Sequence, residues 1–531
     1  MGNIKFYLKI IAPITAISIM LTSCSMNSNT SSLPISETEY LNQRESIVSS
    51  NLYKTGSTLS LNDKEKALDN RLKTLIKTYE DYTDDTTYAP ANPFYDFLKG
   101  TGTNYIANTP LYKLIRDMPK GGNLHVHTTA TFGTENFLNF LHTQDNIYVC
   151  PKDIHTSDGT DIPEGSIRIF KSGEEIIEGF VPLKTAIEEG MTSEERLLSL
   201  WTIDEADEDI GHIWDEFNDI FSRVGYTHGV DKELFKEFYH EAFSEQIKDN
   251  VSHIELRTGI TEFDGDKTGK VAIEILRDVY YDLKKEYPDF TLKLIIAANK
   301  GIKKDPASVK DNVENMIYLK ENIKDEFDPN NIVEFIVGFD LVGAEDDGHQ
   351  LIEYSKYINE MRKDGKEFDL YFHAGESVLP DSQNMVDAYL LGSKRIGHGL
   401  NLYRFPDLME KIKEKQIALE VCPISNQLLR YCYDLRTHPA VEYLKRDVPF
   451  TICSDDPLAF NTTGLSYDFF EAIAGWHLGI AQIKQLCINS IKYSAASDSE
   501  KNKMMSNWEK EWNEFVENNY QVQDSDNQKW Y

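Results

Sequence analysis

His125 and His127 stand one residue apart in a short β-like run, 123–128. Strand side chains alternate between faces, so both imidazoles project the same way, as a two-pronged metal grip requires. A lone His-x-His means little, because surface and core histidines often fall two apart. Its weight comes from company further along the chain: His373 in Phe372-His373-Ala374-Gly375-Glu376, His398 between Gly397 and Gly399, and Asp455-Asp456 after Cys453-Ser454. Three imidazoles and one carboxylate drawn from these residues make a nitrogen and oxygen set that suits zinc, with a water in the open position. Zinc lowers the pKa of such a water toward ~7, which yields hydroxide at neutral pH. Glu376, three residues past His373, can stand beside the metal without binding it, and His398 can take the water's proton. Gly375, Gly397 and Gly399 let a substrate approach the backbone closely.

Residues so far apart in the chain meet only if a fold gathers them. Eight β-like runs occupy 123–128, 252–257, 291–297, 333–342, 369–373, 395–399, 417–422 and 450–453, with helical stretches between. Alternating strands and helices imply a parallel sheet. Eight strands imply an α/β fold closed as a TIM-like (β/α)₈ barrel of the metal-dependent hydrolase type. The strand ends of such a barrel converge on one mouth, where its chemistry is carried out. The stretch between the first two runs is too long for one crossover helix. Its part from about 143 to 210 is expected to be an inserted subdomain, and 212–243 returns to helical spacing. Before the barrel, the chain from about Glu37 to Leu114 looks helical and separate, with Leu68, Leu72, Leu75 and Ile76 at helical spacing.

The 531 residues are 40% hydrophobic and 27% charged, which suits a globular core, and the net charge is −32. An acidic surface of that size repels phosphate backbones, so nucleic acid is excluded as a partner. Six cysteines in so long a chain make no disulfide framework. Lys5 and Lys9 precede an uncharged run from Ile10 to Leu21. That run is too short to span a bilayer, which takes ~20 residues, but it suits the apolar core of an export signal. It ends in Leu21-Thr22-Ser23-Cys24, which resembles a bacterial lipoprotein cleavage box and implies lipidation of Cys24. The protein is then expected to be exported and lipid-anchored to a bacterial cell membrane, on its periplasmic or cell-surface side. The expected organisation is a signal peptide at 1–24, a tether and N-terminal helical region at 25–117, the barrel with its insert at 118–495, and a C-terminal helix and tail at 496–531.

Longer strings point to a family. Met118-Pro119-Lys120-Gly121-Gly122, Leu124-His125-Val126-His127, Gly338-Phe339-Asp340-Leu341-Val342-Gly343, His373-Ala374-Gly375-Glu376, Arg395-Ile396-Gly397-His398-Gly399, the string Glu420 to Gln427, and Ser454-Asp455-Asp456-Pro457 resemble adenosine deaminase. With Gly464-Leu465-Ser466-Tyr467-Asp468 they resemble its secreted branch, the adenosine-deaminase-related growth factors. The resemblance runs from about Leu111 to the end. It implies one zinc per subunit on His125, His127, His373 and Asp455. Glu376 would give a proton to purine N1, and His398 would serve as general base and electrostatic partner of the hydroxide. Asp456 would meet purine N7, the N–H of Gly343 would meet N3, and adenosine or 2′-deoxyadenosine would lose ammonia. Trp214, on a segment like the branch's helix near the purine and ribose, would contact the substrate, and the N-terminal helices would mediate a homodimer.

Three positions depart from the family pattern. Thr128 replaces an acidic residue that contacts the ribose, Asn299 or Lys300 replaces a histidine after the third strand, and the insert holds only Cys150 where relatives carry a disulfide. Other readings are another adenine-nucleoside or nucleotide deaminase, a two-metal hydrolase of the same superfamily, and a non-catalytic growth-factor-like binding protein. The apolar Val342-Gly343 leaves no bridging lysine for a second metal, and no basic cluster beside these motifs offers a phosphate pocket. The cytidine-type signature is absent.

Overall fold

Strands that alternate polar and apolar residues, yet are buried throughout, need cover on both faces. In Val251–Thr258, Ile254 and Leu256 join the main apolar core, while His253, Glu255 and Arg257 are equally buried among polar groups. The structure, a computed structural model, describes residues 36–81, 106–156, 159–170, 173–203, 213–225, 231–325 and 333–522. The barrel strands are β1 Gly121–His127, β2 Val251–Thr258, β3 Thr291–Asn299, β4 Ile336–Val342, β5 His373–Ala374, β6 Arg395–His398, β7 Ala418–Val421 and β8 Phe450–Ile452. They form two parallel four-stranded sheets, each in sequence order. Two parallel bridges, Phe339 to Leu370 and Val126 to Asp455, join the sheets edge to edge and close the barrel.

Every expected run carries a barrel strand, and the fifth is cut back most. Of 369–373, only His373 enters the ladder, and Leu370 reaches β4 through a single bridge. Between them Tyr371 lies against Gly338, where a Cβ would come within 2.6 Å of its ring. In β1, Asn123 pairs with Ile254 and Val126 with Leu256, so Leu124 and His125 both stand opposite Glu255. This bulge re-aims the strand just before its functional end.

The insert after β1 holds a small antiparallel sheet of Ile147–Val149, Ile167–Ile169 and Val181–Pro182, and a two-stranded ribbon. Cys150, Ile162, Phe170 and Phe180 form its own apolar cluster, and Cys150 is a free thiol.

The N-terminal helical region is not separate as the spacing suggested. Tyr53 onward belongs to the same compact unit as the barrel. Helix Asp63–Asp81 packs on helices Ile480–Lys492 and Asp498–Asn519, with Leu68, Leu72, Leu75 and Ile76 no more than 4% exposed. An amphipathic stripe has to be covered, and here the C-terminal helices cover it. Glu65 adds two polar ties, to Lys484 Nζ at 2.6 Å and Trp512 Nε1 at 2.9 Å. Helix Glu37–Ser50 belongs to the other unit, Met1–Leu52, and has no buried residue. No helix among the described residues is long and apolar enough to cross a membrane. The run from Ile10 to Leu21 and Cys24 lie outside the described residues.

Candidate active site

The barrel interior beneath its mouth is filled by charge. Arg257 Nε donates to Asp340 Oδ2 at 2.8 Å, and its far end meets Glu420. Arg395 Nε donates to Glu420 Oε1 at 2.7 Å, and its other nitrogen meets Glu255. None of the five charged residues of this ladder is more than 2% exposed in its side chain. Burial alone would raise the Glu420 carboxyl, but Arg257 and Arg395 override it and hold the group well below its usual range. Asp340 is likewise held down against burial, by His373 and Arg257.

These two ionised carboxylates set the tautomers of two histidines. Glu420 Oε2 lies 2.9 Å from His125 Nδ1, and Asp340 Oδ2 lies 2.7 Å from His373 Nδ1. An ionised carboxylate only accepts, so each Nδ1 carries the proton and each Nε2 is left with a lone pair. His125 Nε2 lies 3.2 Å from His127 Nε2 and 3.3 Å from Asp455 Oδ1. His127 Nε2 is 3.2 Å from the same oxygen. One atom from each of His125, His127, His373 and Asp455 falls within 4.8 Å of the others. Acceptors gathered this closely repel one another unless a cation sits among them, so the four residues fit a divalent metal. Burial, then the neighbouring imidazoles, push His373 down to about 3, which keeps it neutral as a ligand must be.

Asp455 does two jobs. Its N–H donates to His125 O at 3.0 Å, and its carbonyl accepts from His127 N at 3.1 Å, so the residue that closes the barrel also faces the metal position. It sits at φ +58°, and His398 at φ +59°, both left-handed without being glycine. Such conformations carry strain and cluster at functional sites. Gly397 explains the close approach of two ligands: a Cβ there would lie 3.0 Å from the His125 ring and 3.2 Å from His373 Cα.

Around this centre, Glu376 is 3% exposed and its Oε2 lies 3.6 Å from His398 Nε2. Burial, reinforced by Asp455, pushes the Glu376 carboxyl well above its ordinary value. Asp456 is raised by the same two causes, and its Oδ1 has no hydrogen-bond partner among the described residues. Gly343 ends β4 at φ +105°, beside the side chain of Asn299. Cys422 can share a metal-sized space with His398 and Asp455, but burial pushes its thiol up, and a protonated thiol is a poor ligand.

Residues 205–511 match the family described as adenosine deaminase. The chain is 33% identical over 500 residues to adenosine deaminase 2 of Dictyostelium discoideum, covering 90% of this chain and 87% of the relative. The chain belongs to the adenosine deaminase family. Adenosine deaminase 2 of Homo sapiens is 28% identical over 522 residues, covering 94% and 97% of the two chains. In fold, the chain is similar to a Zn-bound amidohydrolase from Burkholderia ambifaria, with a TM-score of 0.51 at 17% identity over 77% of this chain and 94% of that one. Membership of this metal-dependent family, with amidohydrolase neighbours, supports a hydrolytic deaminase.

Several positions of this adenosine deaminase family member escaped the reading from sequence. Asp340 and Glu420 lie inside the quoted strings, but their service to His373 and His125 depends on neighbours across the barrel. Glu255 and Arg257, charged residues at period two between the apolar Ile254 and Leu256, were the available signal for the ladder. Trp214, on helix Ile213–Val224, is half-buried and donates from Nε1 to the Tyr431 hydroxyl at 2.7 Å. Of the two candidates for the missing histidine, Asn299 stands exposed beside Gly343, while Lys300 is fully buried and its Nζ has no hydrogen-bond partner among the described residues. Thr128 hydrogen-bonds the Tyr239 side chain.

The outer carboxylates give a first prediction. Asp340→Asn weakens the acceptor behind His373, and metal affinity should fall about 10–100-fold. Competition with a chelator measures this, and unchanged retention would show that Asp340 does not hold the ligand's proton.

Proposed function

We propose that this protein catalyses zinc-dependent hydrolytic deamination of adenosine, and of 2′-deoxyadenosine, to the inosine product and ammonia. The observation that carries the reading is the convergence of four acceptors from β1, β5 and the end of β8, with a raised carboxyl and an imidazole beside them. Zinc held by His125, His127, His373 and Asp455 would supply water with its pKa lowered toward ~7. The side chains do the rest. Glu376, kept protonated by burial, delivers a proton to purine N1 and so makes C6 open to attack. Asp456, also kept protonated, donates to N7 and fixes the ring's orientation. The Gly343 N–H meets N3, and its positive φ excludes a side chain from that edge. His398 faces the attacking oxygen, and Trp214 closes the site over the sugar side. With Thr128 in place of an acid, that position offers the sugar a neutral hydroxyl.

The reading as a non-catalytic binding protein does not account for a complete ligand set with its outer carboxylates and a buried carboxyl beside it. Lipidation at Cys24, a bacterial membrane location and a homodimer belong to the same proposal, supported by the sequence patterns at the amino terminus and by likeness to the secreted branch.

The test is metal analysis of the purified protein, followed by ultraviolet assay of adenosine, 2′-deoxyadenosine, methylthioadenosine and adenosine monophosphate. The two unmodified nucleosides should be the best substrates. Metal-replete protein that frees no ammonia from any of the four ends the proposal.

A further inference from the structure

His398 is backed by two buried side chains that decide where its proton sits. The backbone N–H of Ala440 donates to His438 Nδ1 at 3.0 Å. A ring nitrogen that accepts carries no hydrogen, so a neutral His438 has its proton on Nε2. Burial pushes His438 down to about 3, which keeps it neutral. Its Nε2 lies 3.1 Å from Asn426 Oδ1. A donor there requires the oxygen end of the amide, and the NH₂ end must then point the other way. That end lies 3.4 Å from His398 Nδ1, the longest link of the three. His398 Nδ1 is therefore the acceptor. His398 Nε2 faces Glu376 Oε2 at 3.6 Å and Asp455 Oδ2 at 3.9 Å.

The relay is buried away from bulk solvent. His438, Asn426 and His398 are each at most 1% exposed, and the Trp476 ring packs against His438 with centroids 5.3 Å apart. The three residues come from three places: the end of β6, helix Pro423–Leu428 after β7, and the turn before helix Ala440–Arg446.

We propose that Ala440 N–H, His438 and Asn426 make His398 Nδ1 an acceptor and so place the ring's hydrogen on Nε2, so that His398 meets the attacking oxygen as a hydrogen-bond donor. His438 and Asn426 are thus positioning residues. The proposal rests on the deaminase reading above and, of the two roles that the family resemblance implies for His398, takes the electrostatic partner. A donor aimed at charge that develops during attack, in a site closed to water, contributes about 10²–10³ in kcat where single donors have been removed. The relay concerns which nitrogen bears the proton, not whether the ring is charged.

Nitrogen NMR of metal-loaded protein labelled in histidine reads the tautomer without reference to activity. The His398 signals, identified by their loss in His398→Gln, should show a protonated, pyrrole-type Nε2 and a bare, pyridine-type Nδ1. Asn426→Asp replaces the donor by an acceptor, so the pattern should reverse and kcat should fall about 100-fold. KM and metal content should change little. His438→Gln keeps a donor toward Asn426 and should retain the wild-type pattern and kcat to within about fivefold. A wild-type proton on Nδ1 overturns the proposal outright, even if Asn426→Asp does not fold. Reversal in Asn426→Asp with undiminished kcat overturns the role as donor. Wild-type protein without turnover would instead sink the deaminase reading and leave the tautomer result standing.

Discussion

Glu376→Gln is expected to keep its metal and lose about 10²–10⁴ of its kcat. The carboxyl is 3% exposed, its backbone N–H is tied to Glu345 Oε2 at 3.2 Å, and it is not among the converging ligand atoms. Glutamine fits the same space and leaves those ligands untouched, so metal content should match wild type. What it lacks is an acidic proton. Burial pushes the Glu376 pKa up, and a carboxyl so weakened as an acid can keep its proton at neutral pH, ready for the purine N1 of the proposed reaction. The loss should therefore fall on kcat with KM little changed, because the amide can still hydrogen-bond N1. Turnover near wild type in a metal-replete Glu376→Gln protein would remove Glu376 from the reaction.

His127→Ala is expected to lose metal and activity together, with affinity falling by more than the about 100-fold ceiling of an outer-carboxylate change. His127 is the cleaner ligand to remove. His125 and His373 are bound to Glu420 and Asp340, so deleting either ring leaves a buried ionised carboxylate short of a partner. Such a change removes a hydrogen bond to a buried charged group, costs fold stability of about 1.5–3 kcal/mol, and confuses metal loss with unfolding. His127 makes no such tie, its side chain is 19% exposed, and its Nε2 meets only the other acceptors. The variant should unfold at nearly the wild-type temperature without metal. Full metal occupancy after dialysis against chelator would mean that the ligand set is wrong.

Both expectations began in the sequence, and the reason is geometric. Alternation along a strand and the convergence of strand ends are properties of any closed parallel barrel, so His125, His127, His373, Asp455, Glu376 and His398 could be placed on one mouth from spacing alone. The N-terminal helix shows where that logic stops. Helical spacing of Leu68, Leu72, Leu75 and Ile76 says that a face must be covered, but nothing in those residues says what covers it, and the C-terminal helices do. The bulge in β1 is invisible for the same reason, since it is a relation between two strands.

By itself, then, the order of residues pointed to the barrel, to a mouth lined by imidazoles and carboxylates and, through the resemblance of its longer strings, to the family. These follow from local periodicity and from side-chain chemistry, which each short segment carries with it. Only the tertiary structure decided which nitrogen of each histidine holds the proton. It did so by setting Glu420 behind His125, Asp340 behind His373, and Asn426 with His438 behind His398. A proton's location depends on the partner across a 3 Å gap, and the chain brings that partner there from a distant segment only when it folds.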